Sequence, residues 1–92
     1  MIVRIMGEGQ VRLADEHMAR LDELDGALLA AVGEGDEAAF RLTFNALLDA
    51  VHAVGEPVPD DSLEPSELIL PARDSSLDEV RSLLTENGLI PN

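Results

Sequence analysis

Apolar and polar positions alternate with a period of two from Met1 to Leu13. Val3 and Ile5 fall on one side of such a segment and Ile2, Arg4 and Met6 on the other, which is the spacing of a strand. Gly7-Glu8-Gly9 interrupts the pattern with two residues that tolerate positive φ, and Gln10 to Leu13 resumes it. The segment therefore predicts a β-hairpin closed by a glycine-bearing three-residue turn.

From Ala14-Asp15-Glu16 onward the period changes to that of a helix. Met18, Leu21, Leu24, Leu28 and Val32 recur every three or four residues, and Leu29 widens the stripe. Asp15 and Glu16 suit the N-terminal end of a helix dipole. Gly26 in mid-helix costs about 1 kcal/mol against alanine, so the expectation is that a neighbouring helix or strand approaches closely there. Gly33-Glu34-Gly35 ends this helix, and Asp36 is a suitable N-cap for the next. Phe40, Phe44, Leu47, Leu48 and Val51 form its apolar stripe until Gly55-Glu56-Pro57 stops it. So short a connection predicts an antiparallel αα-hairpin.

Pro57 to Ser66 is rich in proline, acid and serine and reads as a loop crossing the molecule. Glu67-Leu68-Ile69-Leu70-Pro71 fits either a third short strand near 67–70, paired with the hairpin, or a helical turn. Ser76-Leu-Asp-Glu79 has the spacing of a capping box, and Leu77, Val80, Leu83 and Leu84 follow as the apolar face of a short third helix. Asn87-Gly88 suits a left-handed C-cap, with Leu89-Ile90-Pro91 as an apolar anchor beyond it. The expected fold class is α+β: a β-hairpin packed on an αα-hairpin, with a short C-terminal helix, in one domain over 1–92.

Charge narrows the possible partners. Six arginines, no lysine and nineteen acids give a net charge of −13. The sequence offers no basic patch with which to neutralise nucleic-acid phosphates or to meet anionic lipid. An acidic surface suits a basic or locally basic partner, and it also maintains solubility. The all-arginine basic set fits a GC-rich genome or a halophilic surface. With no cysteine, disulfide and thiolate chemistry are absent. The longest apolar run, Ala27 to Val32, is far shorter than the roughly 20 residues of a membrane span. Met1 leads into strand-like sequence without a leader pattern, and the expectation is a cytoplasmic protein.

Catalytic and ligand-binding patterns are weak. Gly7-Glu8-Gly9 lacks the third glycine of a dinucleotide loop, since position 12 is Arg, and its acid would repel phosphate. His17 and His52 lie on different predicted helices, with no second imidazole at ligand spacing. Asp60-Asp61 and Asp78-Glu79 read as a turn and a helix N-terminus rather than an acid/base dyad. Asp60, Asp61 and Glu64 lack the EF-hand order needed for calcium, and no serine sits in a nucleophile elbow. No catalytic residue, cofactor or metal is expected. The apolar stripes are core in the first instance, although an αα-hairpin beside a small sheet leaves room for an uncovered apolar strip that could dock a partner helix or a second copy.

The ordered set Met1-Ile-Val-Arg-Ile-Met-Gly-Glu-Gly-Gln10, Pro57-Val-Pro-Asp-Asp61, Ser66-Glu-Leu-Ile-Leu-Pro71, Leu77-Asp-Glu-Val80 and Gly88-Leu-Ile-Pro91 resembles the PspA-associated family over essentially the whole chain. Val11 departs from it, standing where an aromatic, commonly Tyr, is expected. The resemblance implies a small, largely actinobacterial accessory protein that works with PspA-type coiled-coil proteins in the membrane-stress response. It implies no catalytic residues. The expected function is thus a non-enzymatic adaptor that is recruited through its partner to the inner face of the membrane. The exposed groups expected to carry interaction are Arg4, Glu8 and Gln10 around the hairpin, together with Asp22, Glu23 and Asp25 on the first helix. The alternatives are a small-ligand or metal sensor built on Pro57–Pro71 and a homodimeric scaffold.

Overall fold

The computed structural model describes residues 1–59, 61, 63–85 and 88–90. Its elements run β1 (Ile2–Ile5), β2 (Gly9–Arg12), a 3-10 turn (Asp15–His17), α1 (Met18–Glu34), α2 (Glu37–Val54), β3 (Glu56–Val58), β4 (Leu68–Leu70) and α3 (Leu77–Leu83). The fold class is α+β, as the periodicities predict.

The hairpin forms, with Val3 opposite Val11 and Ile5 opposite Gly9, so its three-residue turn is Met6-Gly7-Glu8, one residue earlier than the expected Gly7-Glu8-Gly9, and Gly9 opens β2. Gly7 and Gly9 both adopt positive φ, and the Glu8 amide donates to the Ile5 carbonyl at 2.9 Å to close the turn. Two further strands extend this pair into a four-stranded sheet of order β3-β2-β1-β4. β4 is the short strand near 67–70, and it lies parallel to β1 with Val3, Arg4 and Ile5 opposite Leu68, Ile69 and Leu70. β3 falls where the prolines predicted only loop. It pairs antiparallel with β2, Val11 opposite Pro57, at the sheet edge, where a residue without an amide hydrogen is tolerated.

β3 and β4 occupy opposite edges, so the chain between them must cross the face that the helices leave uncovered. That strap, described at residues 59, 61 and 63–67, is tied down by Gln10 Nε2 donating to Ser66 Oγ at 2.7 Å and by the Glu67 amide donating to the Ile2 carbonyl at 2.8 Å. Arg12 pairs with Glu64 on the same face. Ile2 and Val58 share this face by register and are buried outside the main core, as cover by the strap requires.

The main core fills the space between the other sheet face and the helices. Val3, Ile5, Val11, Leu13 and Leu70 meet Leu21, Leu28 and Val32 of α1 and Phe40, Phe44, Leu47, Leu48 and Val51 of α2. The Phe40 and Phe44 rings stack at 5.5 Å. Gly35 in αL conformation ends α1, and Asp36 caps α2 by accepting from the Ala39 amide at 3.0 Å. The capping box of α3 is present at both bonds, Glu79 amide to Ser76 Oγ and Ser76 amide to Glu79 Oε1, each at 3.1 Å.

Several expectations change. Nothing approaches within 4 Å of a side chain at Gly26, which is exposed on α1, so its cost is not offset by close packing. The close approach occurs at Gly55 instead: a Cβ there would lie 2.6 Å from the Val51 carbonyl oxygen and 2.8 Å from Val11 Cβ. Leu83, assigned to the apolar face of the third helix, is 57% exposed. α3 ends there, with Leu84 extended as its C-cap, so Gly88 is not a helix cap. It closes a tight turn by paired backbone bonds with Thr85. Asp60, Asn87 and Pro91, which figured in the turn, cap and anchor readings, lie outside the described residues.

Candidate interaction surfaces

The six candidate residues separate into structural ties and free surface groups. Glu8 sits at the tip of the hairpin turn and accepts from Arg73 Nε at 3.2 Å and from an Arg73 terminal nitrogen at 3.1 Å. His52 Nε2 lies 2.8 Å from the same carboxylate, and Asp49 engages the remaining Arg73 nitrogen at 2.8 Å. The Arg73 guanidinium, with His52 second to it, holds the Glu8 carboxyl below its ordinary value. Three-quarters of the Glu8 side chain is shielded.

This cluster continues along one face of α2. Arg41, eight residues before Asp49, donates to the Arg73 carbonyl at 2.6 Å and to the Ser75 carbonyl at 2.8 Å. Arg41, Asp49 and His52 share a helical face by their spacing. Together they clamp the segment that links β4 to α3 and anchor the hairpin tip against it. Charges here neutralise one another: the Arg73 donors are spent on carboxylates and the Arg41 donors on backbone carbonyls. The seam is therefore a fastening. Its members other than Glu8 escaped sequence reasoning because the partners lie more than twenty residues apart along the chain.

Asp25 departs from the acidic surface in which the sequence placed it. Only 1% of the residue is exposed, and its two carboxylate oxygens accept from the Leu89 and Ile90 amides, each at 2.9 Å. Burial pushes its carboxyl above the ordinary range, and the two amides act against that shift. Gly88 completes the arrangement: its φ is +96°, and a Cβ at that position would run into the Asp25 carboxylate. Asp25 thus latches the segment 88–90 onto α1 and seats Ile90 in the core. The sequence carried a signal, an acid three or four residues from Leu21, Leu28 and Leu29 on the apolar side of α1.

Gln10 is committed to the strap through Ser66. Arg4 and the pair Asp22 and Glu23 are exposed. Asp22 and Glu23 lie outside the buried stripe of α1, with Arg20 donating to Glu23 at 3.4 Å. Arg4 stands on the strap side of the sheet, so the two exposed sets occupy opposite sides of the molecule. Two exposed apolar residues lie near Arg4, Met6 at 49% and Ile69 at 60%, whereas Leu42 and Leu83 stand on α2 and α3 and Leu63 on the strap.

Among the described residues, no three His, Cys, Asp or Glu side chains are grouped to hold a metal ion. The Pro57–Pro71 segment borders a cleft of about 150 Å³ between Arg12, Val58, Pro59 and Glu64, which the Arg12–Glu64 pair spans. No described helix is long and apolar enough to cross a membrane.

Neither a curated protein nor a solved structure matches the chain. The family model described as "PspA-Associated protein" matches residues 1–92. The hairpin, the β4 segment and the 88–90 latch, whose residues carry the resemblance, are all built into this fold, and the chain belongs to the PspA-associated protein family.

Proposed function

We propose that the chain is a non-enzymatic adaptor, one domain over 1–92, that binds a PspA-type coiled-coil protein in the envelope-stress response. It works in the cytoplasm and reaches the inner face of the membrane through that partner. The observation that carries this reading is the family match over 1–92. Two features support it. Polar clusters in the described residues fasten secondary-structure elements to one another and leave no nucleophile beside a free base. The α1 surface, with Asp22 and Glu23 exposed in a chain of net charge −13, suits a partner that is basic where it docks. Arg4 is proposed as a further contact. Glu8, Gln10 and Asp25 act by holding the fold.

Co-purification with the PspA-type coiled-coil protein at moderate salt tests the proposal. The expected result is retention that falls about tenfold in Asp22→Lys/Glu23→Lys, a loss of about 1.4 kcal/mol. Failure of the wild-type chain to retain that protein overturns the adaptor reading. Retention that ignores the charge reversal overturns the acidic-face version of it.

A further inference from the structure

We propose that the open part of the strap-side sheet face, centred on Arg4 between Met6 and Ile69, docks an amphipathic helical segment that presents a carboxylate among aliphatic side chains. The proposal rests on the adaptor reading for its biological setting, but its physical basis is separate.

Five of the six arginines are engaged within the molecule: Arg12 with Glu64, Arg20 with Glu23, Arg41 with two carbonyls, Arg73 with Glu8 and Asp49, and Arg81 with Asp78 and the Val32 carbonyl. The Arg4 guanidinium has no hydrogen bond or ion pair among the described residues. In a chain with nineteen acids, an arginine left without a carboxylate is an unused cation. Its surroundings by register are Ile69 on β4 and Gln10 on β2, and the Gln10 amide nitrogen is already bonded to Ser66. Met6 follows on the same face, and both apolar neighbours are about half exposed or more. A partner that covers this face must desolvate the guanidinium, which is unfavourable unless it supplies a carboxylate. Arginine flanked by aliphatic contacts is also the composition of an interface hot spot.

The occupant follows from what the site cannot take. β4 is three residues long and lies between Pro65 and Pro71, too short an edge to hold an added strand by main-chain bonds. A second copy related by a twofold axis on this face would bring Arg4 towards its own counterpart and join two chains of charge −13 each. A helix with acids flanking an aliphatic stripe matches both the cation and the apolar neighbours. The strap, at Ser66 and Glu67, bounds the site on one side.

The test uses the whole chain, 15N-labelled, titrated with a synthetic amphipathic helical peptide bearing leucines flanked by glutamates, and with the same peptide carrying glutamine instead. The expected result is amide shifts at Arg4, Met6 and Ile69, with affinity at least tenfold higher for the glutamate peptide and a similar loss in Arg4→Glu. Arg4→Glu should keep the wild-type melting temperature, because no described internal contact is removed. Absence of binding, equal affinity for both peptides, or shifts confined to other surfaces would overturn the proposal. So would retention on anionic lipid vesicles that Arg4→Glu abolishes. A parallel titration with the purified PspA-type coiled-coil protein separates the two readings. If that protein fails to bind while the peptide docks at Arg4, the adaptor reading falls and the site stands. If it binds the wild type and Arg4→Glu equally, the adaptor reading survives and the site fails.

Discussion

Asp25 illustrates how one residue can be read as surface and turn out to be an anchor. Its carboxylate is removed from water with two main-chain donors and no cation among the described residues, so those donors and the acid depend on one another. Asp25→Ala would leave two amides without their acceptor. At about 1–3 kcal/mol for each buried unsatisfied group, urea unfolding should show a loss of about 2–6 kcal/mol. Gly88→Ala should cost about 2 kcal/mol or more through its positive φ and its collision with the same carboxylate. The double variant should lose less than the sum of the two, because both remove the same latch. Glu8 makes a pH-dependent contribution of opposite character. Its folded value lies below its ordinary 4.5, so the stability it contributes is fully present above about pH 4.5 and is lost as pH falls through the lowered value. Stability measured against pH should therefore decline less steeply on the acid side in Glu8→Gln than in the wild type.

Among the elements, those whose cause is local were readable in advance. The hairpin, α1, α2 and the capping box of α3 follow from periodicity, turn glycines and cap spacing, all contained within a few residues. Ser76→Ala should cost about 1 kcal/mol in the same unfolding assay. What was not readable depends on distant partners. β3 exists because β2 presents an edge to Glu56–Val58, which overrides the turn preference of Pro57 and Pro59. Gly55 matters because Val11 packs against it, whereas Gly26, conspicuous in the sequence, touches nothing that would demand glycine. Val11 is 5% exposed and packs against Gly55, so the side chain at this position is part of the core. The candidate surface was legible in part. Arg4, Asp22 and Glu23 are exposed as expected, whereas the engagement of Glu8 with Arg73 and of Asp25 with the 88–90 segment required the fold.

For the whole molecule, charge and topology set the behaviour. A net charge of −13 on a body with a radius of gyration of 12.6 Å repels itself, and salt screens that repulsion over about 10 Å at 0.1 M. Raising sodium chloride from 0.02 to about 0.5 M, beyond that screening range, should raise the melting temperature while weakening any complex made through Asp22 and Glu23. The two responses can be followed in one salt series by calorimetry and by sedimentation with the partner.

The parallel pairing of β1 with β4 has a consequence for biosynthesis. β1 leaves the ribosome well before its neighbour on one side, which lies more than sixty residues later in the chain. The Asp25 latch likewise waits for Leu89 and Ile90. A nascent chain that ends before Leu68 can form the hairpin and both long helices. It still lacks the strand that fills the β1 edge and anchors the far end of the strap over Ile2 and Val58. Closure of so distant a contact is slow relative to helix and hairpin formation. During translation, therefore, an exposed strand edge and the apolar positions beneath the strap remain available to chaperones, and they are withdrawn only when the chain from Leu68 onward arrives.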